Sequence, residues 1–189
     1  MSRNLYTLFP TELGTCGIAW QEAEAAGPAP AVTALQLPEA SHRLMTARLG
    51  SQATAAGPDD MPPRIAAIIT RVQRHLAGEP QDFRDVEVDL AAAGLFAGQV
   101  YEALRHIPPG RTVTYGELAR TVNHPKAARA VGRALAVNPV PLIIPCHRVL
   151  AAGHKPGGFS APGGVATKAK MLALEGAPLD IAGGIKGNE

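Results

Sequence analysis

The sequence predicts an α+β protein: an N-terminal α/β domain with a small antiparallel sheet and helices (residues 1–90), a mostly helical C-terminal domain (91–176) and a tail (177–189). Three observations carry this reading. β-favouring runs cluster before residue 40, apolar stripes at helical spacing follow from Pro63 onward, and Gly/Pro clusters separate them.

In chain order, Gly14 to Trp20 and Ala31 to Leu37 read as half-buried strands, divided by the breaker Gly27-Pro28-Ala29-Pro30. Ser41 is placed to cap a helix running to about Leu49 and closed by Gly50. A polar connection over 51–60 leads to Pro63, which opens a second helix to about Ala77. Ile65, Ile68, Ile69, Val72 and Leu76 share its inner face, and Gly78-Glu79-Pro80 stops it. Phe83, Val86, Val88 and Leu90 suggest one more strand.

In the second half, Phe96, Val100, Leu104 and Ile107 line one helix face that ends at Pro108-Pro109-Gly110. Thr114-x-x-Glu117 is a capping box starting a helix at Tyr115, which Asn123 can end. Pro125, at a first-turn position, starts another helix from Lys126 to about Val137. Two short helices and a tight turn make a helix-turn-helix or an ordinary helical hairpin. Asn138 follows where a left-handed residue is tolerated, and Pro139 to Ile144 reads as a buried, strand-like path. The Gly/Pro-rich run 153–164 is a loop without the GxxxxGK[ST] spacing of a phosphate cradle. Val165 to Glu175 forms the last helix, ended by Gly176 and Pro178.

With 189 residues, 46% of them hydrophobic, the chain has enough apolar surface for a real core. Its two cysteines, Cys16 and Cys146, make no CxxC pair, which fits neither a disulfide framework nor a zinc site. Cys16, His42 and His75 match no ligand template, so neither metal nor cofactor is expected. No signal-peptide core or membrane-length apolar run is present, which points to the cytoplasm. Charge is uneven: residues 1–104 carry seven Lys+Arg against twelve Asp+Glu, whereas 105–170 carry ten against one, Glu117. A segment so basic is an electrostatic footprint for a polyanion, and it favours the DNA-binding reading of the two helices.

Pro145-Cys146-His147-Arg148-Val149 is the candidate reactive segment. A thiol attacks as thiolate, and a neighbouring base and positive field lower a cysteine pKa. Adjacent side chains do not face each other in regular structure, so His147 needs a turn or a bridging water to serve Cys146. The second of the two helices carries Ala127, Ala128, Ala130, Gly132, Ala134 and Ala136, which give base edges nothing to bond. Small side chains permit close groove approach, while Lys126, Arg129 and Arg133 supply charge, which suits sequence-independent binding. Glu175 sits at a helix C-terminus, an unfavourable place for a carboxylate without a partner.

Asn138-Pro139-Val140-Pro141-Leu142-Ile143-Ile144-Pro145-Cys146-His147-Arg148-Val149 resembles the acceptor-cysteine motif of O6-alkylguanine-DNA alkyltransferases. The resemblance runs from about Phe96 to Gly176, through Ile107 to Gly110, Thr114 to Ala119, Ala128 to Gly132 and Leu174-Glu175-Gly176. It implies a winged-helix-like DNA-binding unit and direct-reversal repair. O6-alkylguanine, chiefly O6-methylguanine but also O4-alkylthymine, would be flipped from duplex DNA and its alkyl group moved irreversibly, once per molecule, to Cys146. The resemblance assigns a Glu175, His147, water, Cys146 relay, a bracing role to Asn138, and to Tyr115 the crowding of a phosphate and a hydrogen bond to the leaving base. Arg129 would fill the gap left by the flipped nucleotide in the minor groove. Lys126, Ala128, Ala130, Gly132 and Arg133 would contact DNA, and Leu135, Pro141, Val149, Phe159 and Ser160 would line the pocket. A monomer is expected, nucleoid-associated when bound, with cooperative assembly on DNA left open. Rival readings are a lesion-flagging binder, whose family relatives replace the acceptor cysteine that Cys146 retains, and a helix-turn-helix regulator. Phe159 in place of a common tyrosine, Tyr101 in place of a tryptophan and the extra Ala161-Pro162 depart from the family pattern; the loop changes leave tolerance of bulky adducts open.

Overall fold

The computed structural model describes residues 3–22, 29–177, 179–180 and 184–185. The N-terminal sheet has the order β3-β2-β1-β4 and consists of β1 (Asn4–Thr11), β2 (Gly14–Gln21), β3 (Ala31–Gln36) and β4 (Thr54–Ala55). β1, β2 and β3 are antiparallel, and β4 joins the edge of β1 in parallel. Cross-strand partners share a face, so Leu5 and Phe9 lie beside Trp20 and Cys16. This face packs on α2 (Pro63–Leu76) through Ile65, Ile68, Val72 and Leu76. The opposite face carries α1 (His42–Gly50), whose Met45 and Leu49 pack on Ala19. A Cβ on Gly17 would overlap the ends of the Leu49 and Leu8 side chains, so glycine leaves those side chains their room where α1 meets β2.

The two strands read from sequence are present, as is the helix capped by Ser41, whose hydroxyl accepts from Leu44 N–H. β1 carries apolar residues on both faces and so offers no clean alternation, while β4 is hidden in the polar connection. Phe83 to Leu90 is not a strand. Val88 makes a single bridge to Val32, and the guanidinium of Arg105 donates to the carbonyls of Phe83, Arg84 and Val86. A side chain therefore supplies the hydrogen bonds that a ladder would have made.

The C-terminal half packs α3 (Leu95–Arg105), α4 (Tyr115–Thr121) and α5 (Ala128–Ala136) together, with the Tyr101 hydroxyl donating to the Ala134 carbonyl at 2.7 Å. The Thr114/Glu117 capping box forms as expected, and Asn123 takes a positive φ of 62°. α5 starts later than expected. Ala127 N–H closes a turn onto His124 O, which makes Pro125 the second residue of that turn and leaves Lys126 outside the helix. β5 (Val113–Thr114) and β6 (Val149–Leu150) form a parallel pair beside these helices, and α6 (Gly164–Leu174) closes the unit.

The expected strand over 139–144 is instead a buried turn: Ile144 N–H donates to Val140 O, and Leu142 has φ 76°. Prolines at 139 and 141 cannot donate to a ladder, so the segment folds on itself. The expected loose tail contributes Ala177 and Leu179 to a buried cluster with Leu150 and Leu172. β7 (Leu179–Asp180) pairs with β8 (Gly184–Ile185), while 178, 181–183 and 186–189 lie outside the described residues. One apolar cluster runs from Leu5, Trp20 and Ile65 to Val131, Leu142 and Cys146, and Leu35 N–H in β3 donates to Pro139 O. Among the described residues, no helix is long and apolar enough to cross a membrane.

Candidate active site

Cys146 is delivered by the turn that follows α5. Asn138 braces this turn from both ends, its amide donating to Ile144 O at 2.8 Å and its side-chain oxygen accepting from Val140 N–H at 3.0 Å. Asn138 itself has no positive φ, contrary to the sequence expectation; Leu142 takes that conformation. Cys146 then opens a 3-10 turn, Cys146–Arg148. With three residues per turn, consecutive side chains diverge by about 120°. Cys146 therefore reaches cavities while His147 and Arg148 are driven inward, at 0% and 4% exposure.

Both inward side chains meet the buried carboxylate of Glu175, the residue that caps α6 at its C-terminus. His147 Nε2 lies 2.9 Å from Glu175 Oε1, Arg148 Nη2 lies 2.7 Å from the same oxygen, and Arg148 Nε lies 3.0 Å from Oε2. A fourth group arrives from the other half of the chain: His75 Nε2, 3.0 Å from Oε1. The carboxylate accepts, so His147 carries its proton on Nε2 and presents Nδ1 as a base. Nδ1 is buried and has no hydrogen-bond partner among the described residues.

Burial alone would raise the Glu175 pKa, but hydrogen bonds from His147, His75 and Arg148 outweigh it and hold the group well below the usual carboxylate range. Burial lowers the His147 pKa against the pull of Glu175, keeping the imidazole neutral. Cys146 goes the opposite way from the sequence expectation: burial raises its pKa, partly offset by the Asn138 side chain, the Lys168 charge and local backbone N–H groups. The reason is geometric, since the cation next in sequence, Arg148, is committed to Glu175. The resting sulfur is a thiol.

Cys146 lines two cavities. The first, about 290 Å³, is bounded by Tyr115, Gly132, Leu135, Phe159 and Ser160. The second, about 330 Å³, runs past Asn138 and Pro141 to Gln36, Arg48 and Gln52 of the N-terminal half. Val149 is a correction. It bounds neither cavity, because it pairs with Val113 in β6, and its carbonyl accepts from Lys168 Nζ at 2.6 Å. Lys168 also reaches Gly158 O at 3.3 Å; burial lowers its pKa to about 8, with Cys146 opposing the shift. It ties the loop bearing Phe159 and Ser160 to the cysteine segment, although in sequence it looks like any helix-surface lysine.

On the outer side of the first cavity, α5 exposes Arg129 and Arg133, with Ala128, Ala130 and Gly132 partly exposed and Lys126 exposed in the preceding turn. The basic surface is smaller than the sequence count, since Arg105, Arg148 and Lys168 spend their charge on internal carbonyls and Glu175. Arg111, Arg120, Lys126, Arg129, Arg133, Lys155 and Lys170 remain exposed. Cys16, His42 and His75 do not converge: Cys16 is buried in β2, His42 is exposed at the start of α1, and His75 faces Glu175.

A family model described as the DNA-binding domain of 6-O-methylguanine DNA methyltransferase matches residues 95–177. The methylated-DNA--protein-cysteine methyltransferase of Mycolicibacterium paratuberculosis is 41% identical over 114 residues, covering 60% of this chain and 67% of its own length. That of Mycobacterium bovis is 41% identical over 122 residues, covering 64% and 72%. The crystal structure of Mycobacterium tuberculosis OGT in complex with DNA superposes with a TM-score of 0.68 at 33% identity, over 90% of this chain and 92% of that one. The chain belongs to the O6-methylguanine-DNA methyltransferase family. Tyr115, Arg129, Asn138, Cys146, His147 and Glu175 all fall inside the segment matched by the methyltransferase family model, whereas His75, Gln36 and Arg48 fall outside it.

Proposed function

We propose that the protein repairs DNA by direct reversal, moving the alkyl group of O6-alkylguanine, chiefly O6-methylguanine, and of O4-alkylthymine to Cys146 in a single irreversible turnover. The observation that carries this reading is the position of Cys146, at the floor of a cavity beneath an exposed basic helix and beside a buried Glu175–His147 pair. α5 would lie in the minor groove without reading sequence, and Arg129 would replace the flipped nucleotide, whose extrusion costs a few kcal/mol. The flipped base would lie against Phe159 in the cavity.

In the transfer, the thiol proton passes through a water to His147 Nδ1, and Glu175 stabilises the imidazolium. Sulfur then attacks the alkyl carbon in line as the C–O6 bond breaks. The departing guanine oxygen accepts hydrogen bonds from the Tyr115 hydroxyl and the Ser160 N–H, and the proton lost by sulfur is restored to the base. Burial, then Cys146, raises the Tyr115 pKa, which keeps its hydroxyl a donor. The thioether product does not hydrolyse, so each molecule reacts once, in the cytoplasm on nucleoid DNA. Incubation with duplex containing O6-methylguanine should add one methyl, mapped to Cys146 by mass spectrometry. Unchanged mass with retained binding overturns the reading in favour of a lesion binder.

Three further results are expected. Lys126→Ala and Arg133→Ala should each lower the slope of log affinity against log salt by about 1, because each removes one phosphate contact. Arg129→Ala should slow transfer more than it weakens binding, since its task begins after docking. The second cavity gives room beyond a methyl group, so duplex containing O6-butylguanine should transfer its butyl group to Cys146. A mass that never changes with this substrate would mean that the 159–162 loop closes the route.

A further inference from the structure

We propose that His75 is a positioning residue for alkyl transfer, so that the N-terminal half supplies part of the machinery that orients His147; this rests on the alkyl-transfer reading above. His75 lies in the last turn of α2, 100 positions from Glu175 in sequence, and is 1% exposed. Its two ring nitrogens have distinct partners. Nδ1 accepts from Gln81 N–H at 3.0 Å, which places the proton on Nε2, aimed at Glu175 Oε1 at 3.0 Å. The chain can return to Nδ1 because Gly78, at φ 90°, reverses it directly after α2. Phe83 flanks the ring at 5.6 Å, so its orientation is fixed by packing as well as by hydrogen bonds.

Oε1 is also the oxygen that holds His147. Glu175 sits at the negative end of α6, where a carboxylate is disfavoured, and it is buried, so it needs every donor it receives. Arg148 spans both oxygens, whereas His75 and His147 share one. Together these donors fix the plane of the carboxylate and hence the direction in which His147 Nδ1 points. Losing His75 leaves Oε1 with Arg148 and His147 itself, and Oε2 with Arg148 and a long bond from the Gly110 N–H at 3.4 Å, so the carboxylate loses a fixed donor on the oxygen that aims His147.

The test uses three variants of the full chain. A glutamine amide nitrogen sits close to where His Nε2 sits, so His75→Gln keeps the donor to Glu175. An asparagine amide sits close to Nδ1, so His75→Asn keeps a partner for Gln81 and loses the donor, while His75→Phe loses both. Single-turnover methyl transfer at saturating duplex, duplex affinity, denaturation midpoint and the rate of Cys146 alkylation by iodoacetamide are measured below the lowest midpoint. His75→Gln should stay close to wild type, while His75→Asn and His75→Phe should fall by about tenfold or more, the scale of one hydrogen bond to a charged group, with affinity unchanged. Equal rates for the Gln and Asn variants, whether both fast or both slow, would reduce His75 to packing and overturn the proposal. Should the iodoacetamide rates keep the expected order while no variant or wild type accepts a methyl group, the alkyl-transfer reading falls and the positioning role stands.

Discussion

Cys146→Ala should accept no alkyl group at all and still bind duplex DNA as the wild type does. The loss is complete because no other sulfur can substitute. Cys16 is fully buried in β2, and burial, only partly opposed by a hydrogen bond with Thr11, raises its pKa to about 11. Binding survives because Lys126, Arg129 and Arg133 are exposed on and beside α5, away from the 3-10 turn that holds the sulfur. The structural cost is small. Cys146 already faces two cavities, so removing one sulfur leaves fewer broken contacts than truncating an enclosed residue. Intact-mass spectrometry after exposure to O6-methylguanine duplex, paired with a binding isotherm, checks both halves; a methyl found on the variant would refute the assignment of Cys146 as sole acceptor.

Glu175→Gln should be the most destabilising conservative change in the molecule, by roughly 3 to 5 kcal/mol, because it leaves the buried Arg148 guanidinium without its counter-charge. Methyl transfer should also slow, by about a hundredfold or more, as His147 loses the anion that stabilises its protonated form. The pH dependence separates the two effects. Glu175 has a folded pKa below its ordinary value, so it contributes stability above the ordinary carboxylate range, and that contribution is lost as pH falls through and beyond it. His147 is also lowered from 6.5, so the unfolded chain binds a proton that the folded one refuses, and stability begins to decline as pH drops below that value. Denaturant titrations across acidic pH should therefore show wild type losing stability in two stages, with the lower stage missing in Glu175→Gln. An identical acid profile in the two proteins would contradict the charge assignment.

Local chemistry made much of this architecture legible in advance. Ser41, Thr114 with Glu117, and the stripe from Ile65 to Leu76 each act within a turn or two of their own helix, so their signals survive any tertiary context. Pro125 shows the limit, since proline suits both the first turn of a helix and the second position of a β-turn. Residues 139–144 failed for a related reason: β-branched residues between prolines describe a buried turn as well as a buried strand. The electrostatic core was least visible. Arg105, Arg148 and Lys168 resemble surface charges until the fold supplies carbonyls and a carboxylate, and this inflated the basic footprint. The pairing of His147 with Glu175 came from the family resemblance, and that of His75 with Glu175 had no signal at all, since no sequence spacing predicts a contact 100 residues apart.

The apolar cluster that passes without a break from the N-terminal sheet to the reactive turn has a practical meaning. Trimming the chain to the segment from 95 onward would strip Leu35, Leu37 and Ile65 from their neighbours and lay bare a greasy wall. A minimal fragment engineered that way would tend to clump, and calorimetry on the whole chain should give one endotherm in place of two.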